Sequence, residues 1–389
     1  MNTKVKKILI IVIAILVLAL AAFLIYNLLI KPESSKEPEG TSGLPESEKG
    51  TTQPNQEDEF TPQPEQRVKT ISSEPVASAT LTQDQDQIIY YSQTSGNVWT
   101  ANFDGSDLTK FSEASLENLL DVLWSPDKTK VITIFQDNLG KIQKYFYSYE
   151  TKKALPLSEY MKEIAWSPSS DRIAYHYYNS LNDINTINLS NPDGSNYSTI
   201  LNTRMKDIDV KWPKGSEVYI YEKPSGLAQS SLYALNTYTR GFTKILSDIY
   251  GFSPKWSKDG TRILYSKTDS RGEDIEIYTT SSIGSNPESA GISTLAEKCI
   301  WSQDPRMIYC AIPENIDKAK TLPDDFYKGT FQSIDKFWKI NVETGEKTQI
   351  LADYEILEVY DATNLFLSPE EDFLFFINKT NGLLYSIEL

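Results

Sequence analysis

The chain has 389 residues and a formal net charge of −15, from 53 acidic and 38 basic side chains. A nucleic-acid-binding protein is expected to concentrate basic residues on one surface, so this balance argues against that class. A single histidine, His176, excludes a multi-histidine metal site, and two cysteines are too few for a disulfide scaffold. The 23 Tyr and 7 Trp residues favour an all-β protein with aromatic packing between strands.

The first element in the chain is an uncharged apolar run at residues 8–30. As a helix it is long enough to cross a bilayer core of roughly 30 Å. Three lysines within residues 1–7 predict that the N-terminus stays in the cytoplasm. A cleaved signal peptide is the alternative, because Ala19-Leu20-Ala21 resembles a cleavage site. The apolar run continues beyond that point, which favours an uncleaved anchor; both interpretations place the rest of the chain outside the cytoplasm, in a periplasmic or extracellular space.

Residues 31–67 have the composition of a linker. They contain six prolines and nine carboxylates, and their only large apolar side chains are Leu44 and Phe60. Such a segment cannot bury enough apolar surface to offset the entropy of ordering it, so we predict a disordered tether. A linear motif that binds a partner is the alternative.

The remaining residues, 68–389, contain a repeated hairpin unit. Val122-Leu-Trp-Ser-Pro-Asp-Lys-Thr-Lys-Val-Ile132 returns as Ile164–Ala174 and as Pro254–Leu264. Weaker copies complete a series of seven anchor positions, which are Leu81, Trp124, Trp166, Trp212, Trp256, Trp301 and Leu367. The anchors are spaced by 43, 42, 46, 44, 45 and 66 residues. A period near 44 built from strands and turns predicts a seven-bladed β-propeller.

Four of the five tryptophan anchors recur with an aliphatic residue seven positions later. A short hairpin turn makes these two positions direct neighbours across a pair of strands, where they are expected to pack between blades. The pairs are Trp124 with Val131, Trp166 with Ile173, Trp256 with Ile263, and Trp301 with Ile308. We interpret the tryptophans as core residues; a row of ligand-stacking side chains is the alternative.

The last repeat is one strand short. It supplies three strands over Tyr360–Leu389, whereas Val68–Ser72 precedes the first anchor as an outer strand precedes every other one. We therefore predict that Val68–Ser72 completes the seventh blade beside Leu383–Leu389, which protects strand edges that would otherwise pair with other chains.

The Trp-Ser-Pro-Asp/Ser hairpins, the basic-Ile/Val-aromatic strands and the Asn-x-Asp-Gly-Ser turns resemble the WD40-like (PD40) repeats of TolB-type propellers. The resemblance covers about residues 68–389. It implies a seven-bladed propeller, in a family whose members serve in envelope machinery, as receptors and as gating domains of peptidases. Unlike TolB, the chain has an apolar segment in place of an α/β domain before the propeller.

No linear catalytic signature is present. The sequence contains no G-x-S-x-G elbow after the propeller, no phosphate-binding glycine pattern and no H-E-x-x-H. His176 lies within the strand Ile173–Tyr178, where a packed histidine is favoured over a general base. The Asp-Gly-Ser turns lack the oxygen ligands of a calcium loop. We expect no catalytic residue, cofactor or metal.

Cys299 and Cys310 are expected to face each other. The register that pairs Trp301 with Ile308 also pairs these two positions. A cross-strand disulfide and two buried free thiols remain equally open alternatives.

The spacing between the last two anchors exceeds the period by about 21 residues, which places an insertion at residues 311–335 of blade six. Pro323 followed by Asp324 and Asp325 predicts a short helix. We expect the insertion to lie over one mouth of the channel, with Asp324, Asp325, Phe326 and Tyr327 as candidate partner contacts. In the alternative, the loop folds onto its own blade and buries its aromatic rings.

Together these features predict a non-catalytic, membrane-tethered, extracytoplasmic propeller that binds a protein or a cell-envelope component. We expect the propeller to be monomeric. A hydrolase or lyase with its active site at the channel mouth is the alternative, because side chains from several blades can assemble a site without a linear signature. A third possibility is a spacer with no binding role.

Overall fold

A computed structural model describes residues 66–113 and 116–389. Seven four-stranded antiparallel sheets form the seven blades of a β-propeller, which confirms the predicted all-β class and blade number. The predicted membrane segment, 8–30, and the linker up to residue 65 lie outside the described residues. Within the described ranges, no helix is both long and apolar enough to span a bilayer.

The blades follow one another along the chain, each running from an inner to an outer strand. Blade 1 contains β2 (Val76–Leu81), β3 (Ile88–Ser92), β4 (Val98–Ala101) and β5 (Thr109–Ser112). Blade 2 contains β6 (Leu119–Trp124), β7 (Lys130–Gln136), β8 (Ile142–Ser148) and β9 (Lys153–Pro156). Blade 3 contains β10 (Met161–Trp166), β11 (Ile173–Asn179), β12 (Ile184–Ser190) and β13 (Ser198–Asn202). Blade 4 contains β14 (Ile208–Lys214), β15 (Glu217–Glu222), β16 (Gln229–Asn236) and β17 (Phe242–Tyr250).

The second half of the ring has the same order. Blade 5 contains β18 (Ser253–Trp256), β19 (Arg262–Lys267), β20 (Glu276–Ser281) and β21 (Glu288–Ser289). Blade 6 contains β22 (Cys299–Trp301), β23 (Met307–Pro313), β24 (Asp335–Asn341) and β25 (Lys347–Gln349). Blade 7 contains β26 (Ala362–Leu367), β27 (Phe373–Asn378), β28 (Leu384–Glu388) and, as its outer strand, β1 (Val68–Thr70).

The first strand of the ring closes the last blade. Val68 faces Ile387 and Thr70 faces Tyr385, and the Ile71 amide continues the ladder by donating to the Leu384 carbonyl at 2.8 Å. Val68 and Ile71 are only 2% and 4% exposed. The predicted closure is confirmed, and it pairs what would otherwise be an open strand edge.

The hairpins that carry the anchors have the predicted register. Trp124 faces Val131, Trp166 faces Ile173, Trp256 faces Ile263, and Trp301 faces Ile308. The turn is held by its serine: the Ser125 hydroxyl donates to Asp127 Oδ1 at 2.6 Å and accepts from the Lys130 amide at 3.0 Å. This local network explains why the same turn recurs around the ring.

Blade 4 departs from that register. The same seven-residue spacing, applied to Trp212, would pair Val210 with Tyr221, but the structure pairs Val210 with Ile220, so the spacing gives the wrong register here. The strand pair contains an irregularity between Lys211 and Lys214, and the turn is made at Gly215 with φ of 55°. The pair beside the turn, Lys214 and Glu217, keeps the expected register, so the irregularity between the turn and Val210 shifts the opposing positions by one residue.

Two anchor indoles bond to the neighbouring blade. Trp166 Nε1 donates to the Leu123 carbonyl at 3.0 Å, and Trp301 Nε1 donates to the Lys255 carbonyl at 3.1 Å. Each acceptor immediately precedes the anchor of its own blade, so the tryptophans join consecutive inner strands as well as packing between them. Their core role is confirmed for these two positions.

The insertion in blade 6 lies between its second and third strands. β23 continues to Pro313 and β24 begins at Asp335, so the loop, which we call the insert, comprises residues 314–334. The boundaries predicted from spacing, 311–335, therefore include strand residues at both ends. A one-turn helix, α1 (Asp324–Tyr327), follows Pro323 as predicted.

Candidate binding site at the channel mouths

The ring has two faces with different connections. We call the side with the turns between first and second strands the hairpin face. The other side, which we call the crossover face, has the outer-to-inner crossovers and the loops between second and third strands. The insert belongs to the crossover face because it joins β23 to β24.

The insert extends over several blades of the crossover face. Asp324 accepts hydrogen bonds from the Ser225 hydroxyl at 3.0 Å and the Gly226 amide at 2.7 Å, both in blade 4. The Leu322 amide donates to the Gly272 carbonyl of blade 5 at 2.8 Å. On the other side, Lys379 Nζ of blade 7 lies 3.9 Å from the centre of the Phe326 ring. The insert is therefore fastened to three blades besides its own.

The four candidate contacts predicted in the insert have different environments. Asp324 is engaged as described, and Asp325 accepts a bond from the Thr321 amide at 2.9 Å, which lowers its pKa. Phe326 is buried at 8% exposure, with Phe331 in the same apolar cluster. Tyr327 alone presents a largely exposed ring, 51% accessible. A role of these residues in partner binding stays a prediction. Of the four, Tyr327 is the one that a partner can reach.

The Tyr327 hydroxyl joins the insert to the crossover between blades 5 and 6. It donates to Glu297 and lies 3.3 Å from the Ser253 hydroxyl. Burial of the hydroxyl, together with the Glu297 charge, raises the pKa of Tyr327 well above its ordinary value. Nearby, Lys255 Nζ donates to the Cys299 carbonyl at 2.8 Å, and burial lowers the pKa of Lys255 to about 8.

A buried ionic triad lies where the insert returns to its blade. Lys298 Nζ donates to Asp335 Oδ2 and Asp361 Oδ1, both at 2.7 Å, and to the Ala362 carbonyl at 3.0 Å. Lys298 and Asp335 are fully buried, and Asp361 is 1% exposed at its side chain. All three ammonium protons are thus used, and Ser333 of the insert donates to Asp361 at 3.0 Å. Sequence reasoning missed this triad, because its members lie in three separate segments of the chain.

The two cysteines face each other as the register predicts, with Cα atoms 4.1 Å apart, and the structure joins them in a disulfide. Both side chains are fully buried beneath the crossover face. His176 is also buried, at 1% exposure, and its Nε2 lies 2.8 Å from Asn185 Oδ1. Burial lowers the pKa of His176, which is expected of a packed neutral imidazole.

The hairpin face has an open cleft at the channel mouth. The cleft has a volume of about 380 Å³ and is lined by residues of blades 1, 2, 5, 6 and 7. Its apolar wall is formed by Trp256, Trp301, Ile300, Phe366 and Leu367, and its polar side chains include Gln83, Gln85, Gln303, Lys128 and Lys258. A shallower depression of about 660 Å³ shares Gln85, Lys258 and Gln303 with it.

Turn residues in the left-handed region supply several side chains to this cleft. Gln85, Lys128 and Glu371 each lie four positions after their anchor, with φ of 60°, 61° and 57°. The equivalent residue in blade 5 is Gly260, where an added Cβ would lie 2.5 Å from Lys214 Cβ. For a non-glycine residue this conformation costs about 1–2 kcal/mol. Three blades nevertheless have a non-glycine residue in it at the mouth.

Lys128 is the lysine of the mouth whose pKa is shifted. Burial lowers its pKa to about 8, although the neighbouring Asp127 opposes the shift. Asp127 itself pairs with Lys130 at 3.2 Å. Across the cleft, Glu371 accepts bonds from the Ser302 hydroxyl, the Gln303 amide and the Tyr309 hydroxyl at 2.6–3.1 Å. This carboxylate therefore links blades 6 and 7 and is occupied within the protein.

These features define a class of protein: a closed seven-bladed propeller with an insert over one face and an open, aromatic-walled mouth on the other. Among residues 66–113 and 116–389, no group of three or more His, Cys, Asp or Glu side chains is placed to hold a metal ion. Concave, largely apolar clefts with a few polar groups are the usual form of ligand sites.

Comparison with known proteins supports the fold. No protein-family model matches the sequence, and no curated protein matches it significantly. Solved structures that resemble it include oligogalacturonate lyase from Vibrio parahaemolyticus, with a TM-score of 0.58 and 11% identity over 82% of this chain and 93% of that one. An uncharacterized Listeria monocytogenes protein gives a TM-score of 0.51 and 12% identity over 82% and 95% of the two chains. TolB from Acinetobacter baumannii gives 0.45 and 10% over 82% and 64%.

The seven-bladed propeller that the repeats predict is confirmed, since the chain forms it and the similar structures include a β-propeller domain from Myceliophteria thermophila with a TM-score of 0.52. At these identities the likeness extends to the fold and not to an activity.

Proposed function

We propose that this protein is a non-catalytic binding propeller that engages a protein or cell-envelope partner at the hairpin-face mouth. In this proposal residues 8–30 anchor it in the membrane and the ring lies outside the cytoplasm. One observation carries the proposal: the mouth on the hairpin face is open and lined from five blades. The crossover face is instead covered in part by the insert.

The chemistry of the cleft supports recognition of an extended polar partner. Three exposed glutamines offer both donors and acceptors, and the neighbouring indole and phenyl groups offer apolar area. Lys128 and Lys258 add positive charge at the rim of an otherwise acidic chain, which favours a partner segment that carries a carboxylate.

The test places a photo-crosslinking residue in the full-length chain in its own membrane, either at Lys128 in the cleft or at Lys153 on the exposed outer strand β9. A discrete product is expected at position 128 and not at position 153, and it should weaken when Lys258→Glu reverses a charge of the same cleft. The same products from both positions would refute binding at the hairpin mouth.

The membrane tether is tested separately. Protease added to cells with a permeabilised outer envelope and an intact cytoplasmic membrane is expected to cut the linker, residues 31–67, and to release the propeller. A propeller that remains protected until the cytoplasmic membrane is lysed would contradict the proposed location.

A lyase or hydrolase is the second candidate function, and Lys128 is the observation that favours it. An amine with a pKa near 8 in an open cleft can act as a general base at neutral pH. Two of the similar structures are described as oligogalacturonate lyases. Production of unsaturated oligogalacturonate by the wild-type protein and its loss in Lys128→Ala would establish this alternative. No product from either protein, with the crosslinks as expected, would leave the binding role.

A further inference from the structure

A second polar cavity lies on the crossover face, in the sector of blades 2–4. We call it the lysine pocket; its volume is about 670 Å³. Five of its lining residues are lysines and three are carboxylates, so its formal charge is +2 within a chain of −15. The insert contacts blades 4, 5 and 7 and does not lie among the residues that line this pocket.

Two of the lysines are held in solvent-exposed ion pairs. Lys141 Nζ lies 2.7 Å from Glu159 Oε2, and Lys223 Nζ lies 2.8 Å from Glu163 Oε1. Both lysine side chains are more than half exposed. Such pairs contribute little to stability, so their ammonium groups can exchange an internal carboxylate for an anion of a ligand at little cost.

The other three lysines have no carboxylate within salt-bridge distance in the described part of the chain. Lys162 Nζ donates only to the Glu159 carbonyl, at 3.3 Å, and Lys206 Nζ lies 5.8 Å from the centre of the Tyr178 ring. Lys144 makes no side-chain hydrogen bond there, and burial followed by the Lys162 charge lowers its pKa. The like charges thus raise each other's energy, and a bound anion would relieve this repulsion.

The floor of the pocket is packed and hydrogen-bonded. His176 is buried against Asn185, which in turn donates to the Met205 carbonyl at 2.9 Å, and the His176 and Tyr178 rings stack at 6.1 Å. The lysines come from three successive blades: Lys141 directly precedes β8 and Lys144 lies in it, Lys162 lies in β10, Lys206 lies in the crossover that leads to β14, and Lys223 directly follows β15. A chain of anionic units can contact lysines of all three blades in turn.

We propose that the lysine pocket binds a linear polyanion whose repeating units each carry a carboxylate or a phosphate. Lysine acts as a point charge and does not select the planar geometry of one anion, so the pocket specifies the spacing of charges more than their chemical type. The site lies on the face opposite the hairpin mouth, and the proposal does not depend on the function of that mouth.

The test measures binding of two fluorescently labelled probes, oligogalacturonate and inorganic polyphosphate, to the full-length protein. The variant is the triple substitution Lys144→Gln, Lys162→Gln and Lys206→Gln. The matched control removes the same charge from exposed lysines outside the pocket, as Lys152→Gln, Lys153→Gln and Lys328→Gln. We expect at least one probe to bind, more weakly as ionic strength rises, and the pocket variant to lose tenfold or more while the control changes less than threefold.

A further variant shifts affinity in the opposite direction. Glu159→Gln removes the carboxylate paired with Lys141 and is expected to strengthen binding a few-fold. Binding of oligogalacturonate alone identifies a uronate polymer as the ligand class, and binding of polyphosphate alone identifies a phosphate polymer. Failure of both probes at low ionic strength, or an equal loss in the control, overturns the proposal. Crosslinking at Lys128 is expected to be unaffected by the triple variant, which separates this test from that of the hairpin mouth.

Discussion

Replacing Lys298 with methionine is expected to destabilise the propeller strongly, because it removes the only cation bonded to two buried carboxylates in the triad. The methionine fills a similar volume but leaves Asp335 and Asp361 without the two 2.7 Å bonds from Nζ. Breaking a buried ion pair by removing one partner typically costs about 3–5 kcal/mol. At about 2.1 cal/mol/K of unfolding entropy per residue, this corresponds to a fall in melting temperature of roughly 4–8 °C for a ring of about 320 residues.

The loss is expected to depend on pH. Burial already raises the pKa of Asp335 in the native protein, and loss of Lys298, which opposes that shift, raises it further. The folded variant then holds a proton that the unfolded chain, with an ordinary aspartate pKa near 3.9, releases. Native protein binds more protons than unfolded protein in this window, so the free energy of unfolding increases as pH falls from 7 towards about 4. The deficit of the variant should therefore shrink on acidification.

The assay is urea unfolding at pH 7 and pH 5, followed by tryptophan fluorescence. Lys153→Met on the exposed strand β9 is the matched control, and it should change the unfolding free energy by less than about 0.5 kcal/mol. Adding Asp335→Asn and Asp361→Asn to Lys298→Met should recover part of the loss, because no buried charge then remains uncompensated. A Lys298→Met protein as stable as the control at pH 7, or one whose deficit grows on acidification, refutes the reasoning.

Three further predictions concern ring closure, the disulfide and the mouth lysine. Deleting residues 31–72 should lower the melting temperature by about 5 °C or more, since it removes β1 and two buried aliphatic side chains, whereas deleting 31–66 should not. Identical melting curves would contradict closure by β1. Denatured, unreduced protein should show no free thiol, and two labelled cysteines would eliminate the Cys299–Cys310 bond. Reduction of this bond should lower the free energy of unfolding by about 3 kcal/mol for a loop of this length. Lys128 should be acylated faster than exposed Lys153 at neutral pH, with a rate that is half-maximal near pH 8 because its pKa is lowered. Equal rates in peptide mapping would show that the pKa of Lys128 is not lowered.

Most of the fold could be predicted from the sequence repeat. The anchor spacing predicts the number of blades, and a turn of constant length predicts that Trp301 faces Ile308 and Cys299 faces Cys310. These inferences hold because the side-chain period of a strand and the geometry of a tight turn act over a few residues. The same reasoning failed in blade 4, where an irregularity between Lys211 and Lys214 shifts the register and Val210 acquires another neighbour.

The sites depended on the tertiary structure. Lys298 meets carboxylates that lie 37 and 63 residues further along the chain, and the lysine pocket draws on three blades. In the sequence, each of these residues lies in a segment that looks like an ordinary loop or strand end. Their charges act together only because closure of the ring brings successive crossovers to one face, and electrostatic interaction depends on distance in space and on burial. Local pattern thus specified the blades, whereas the arrangement of the blades around the ring decided which side chains form a site.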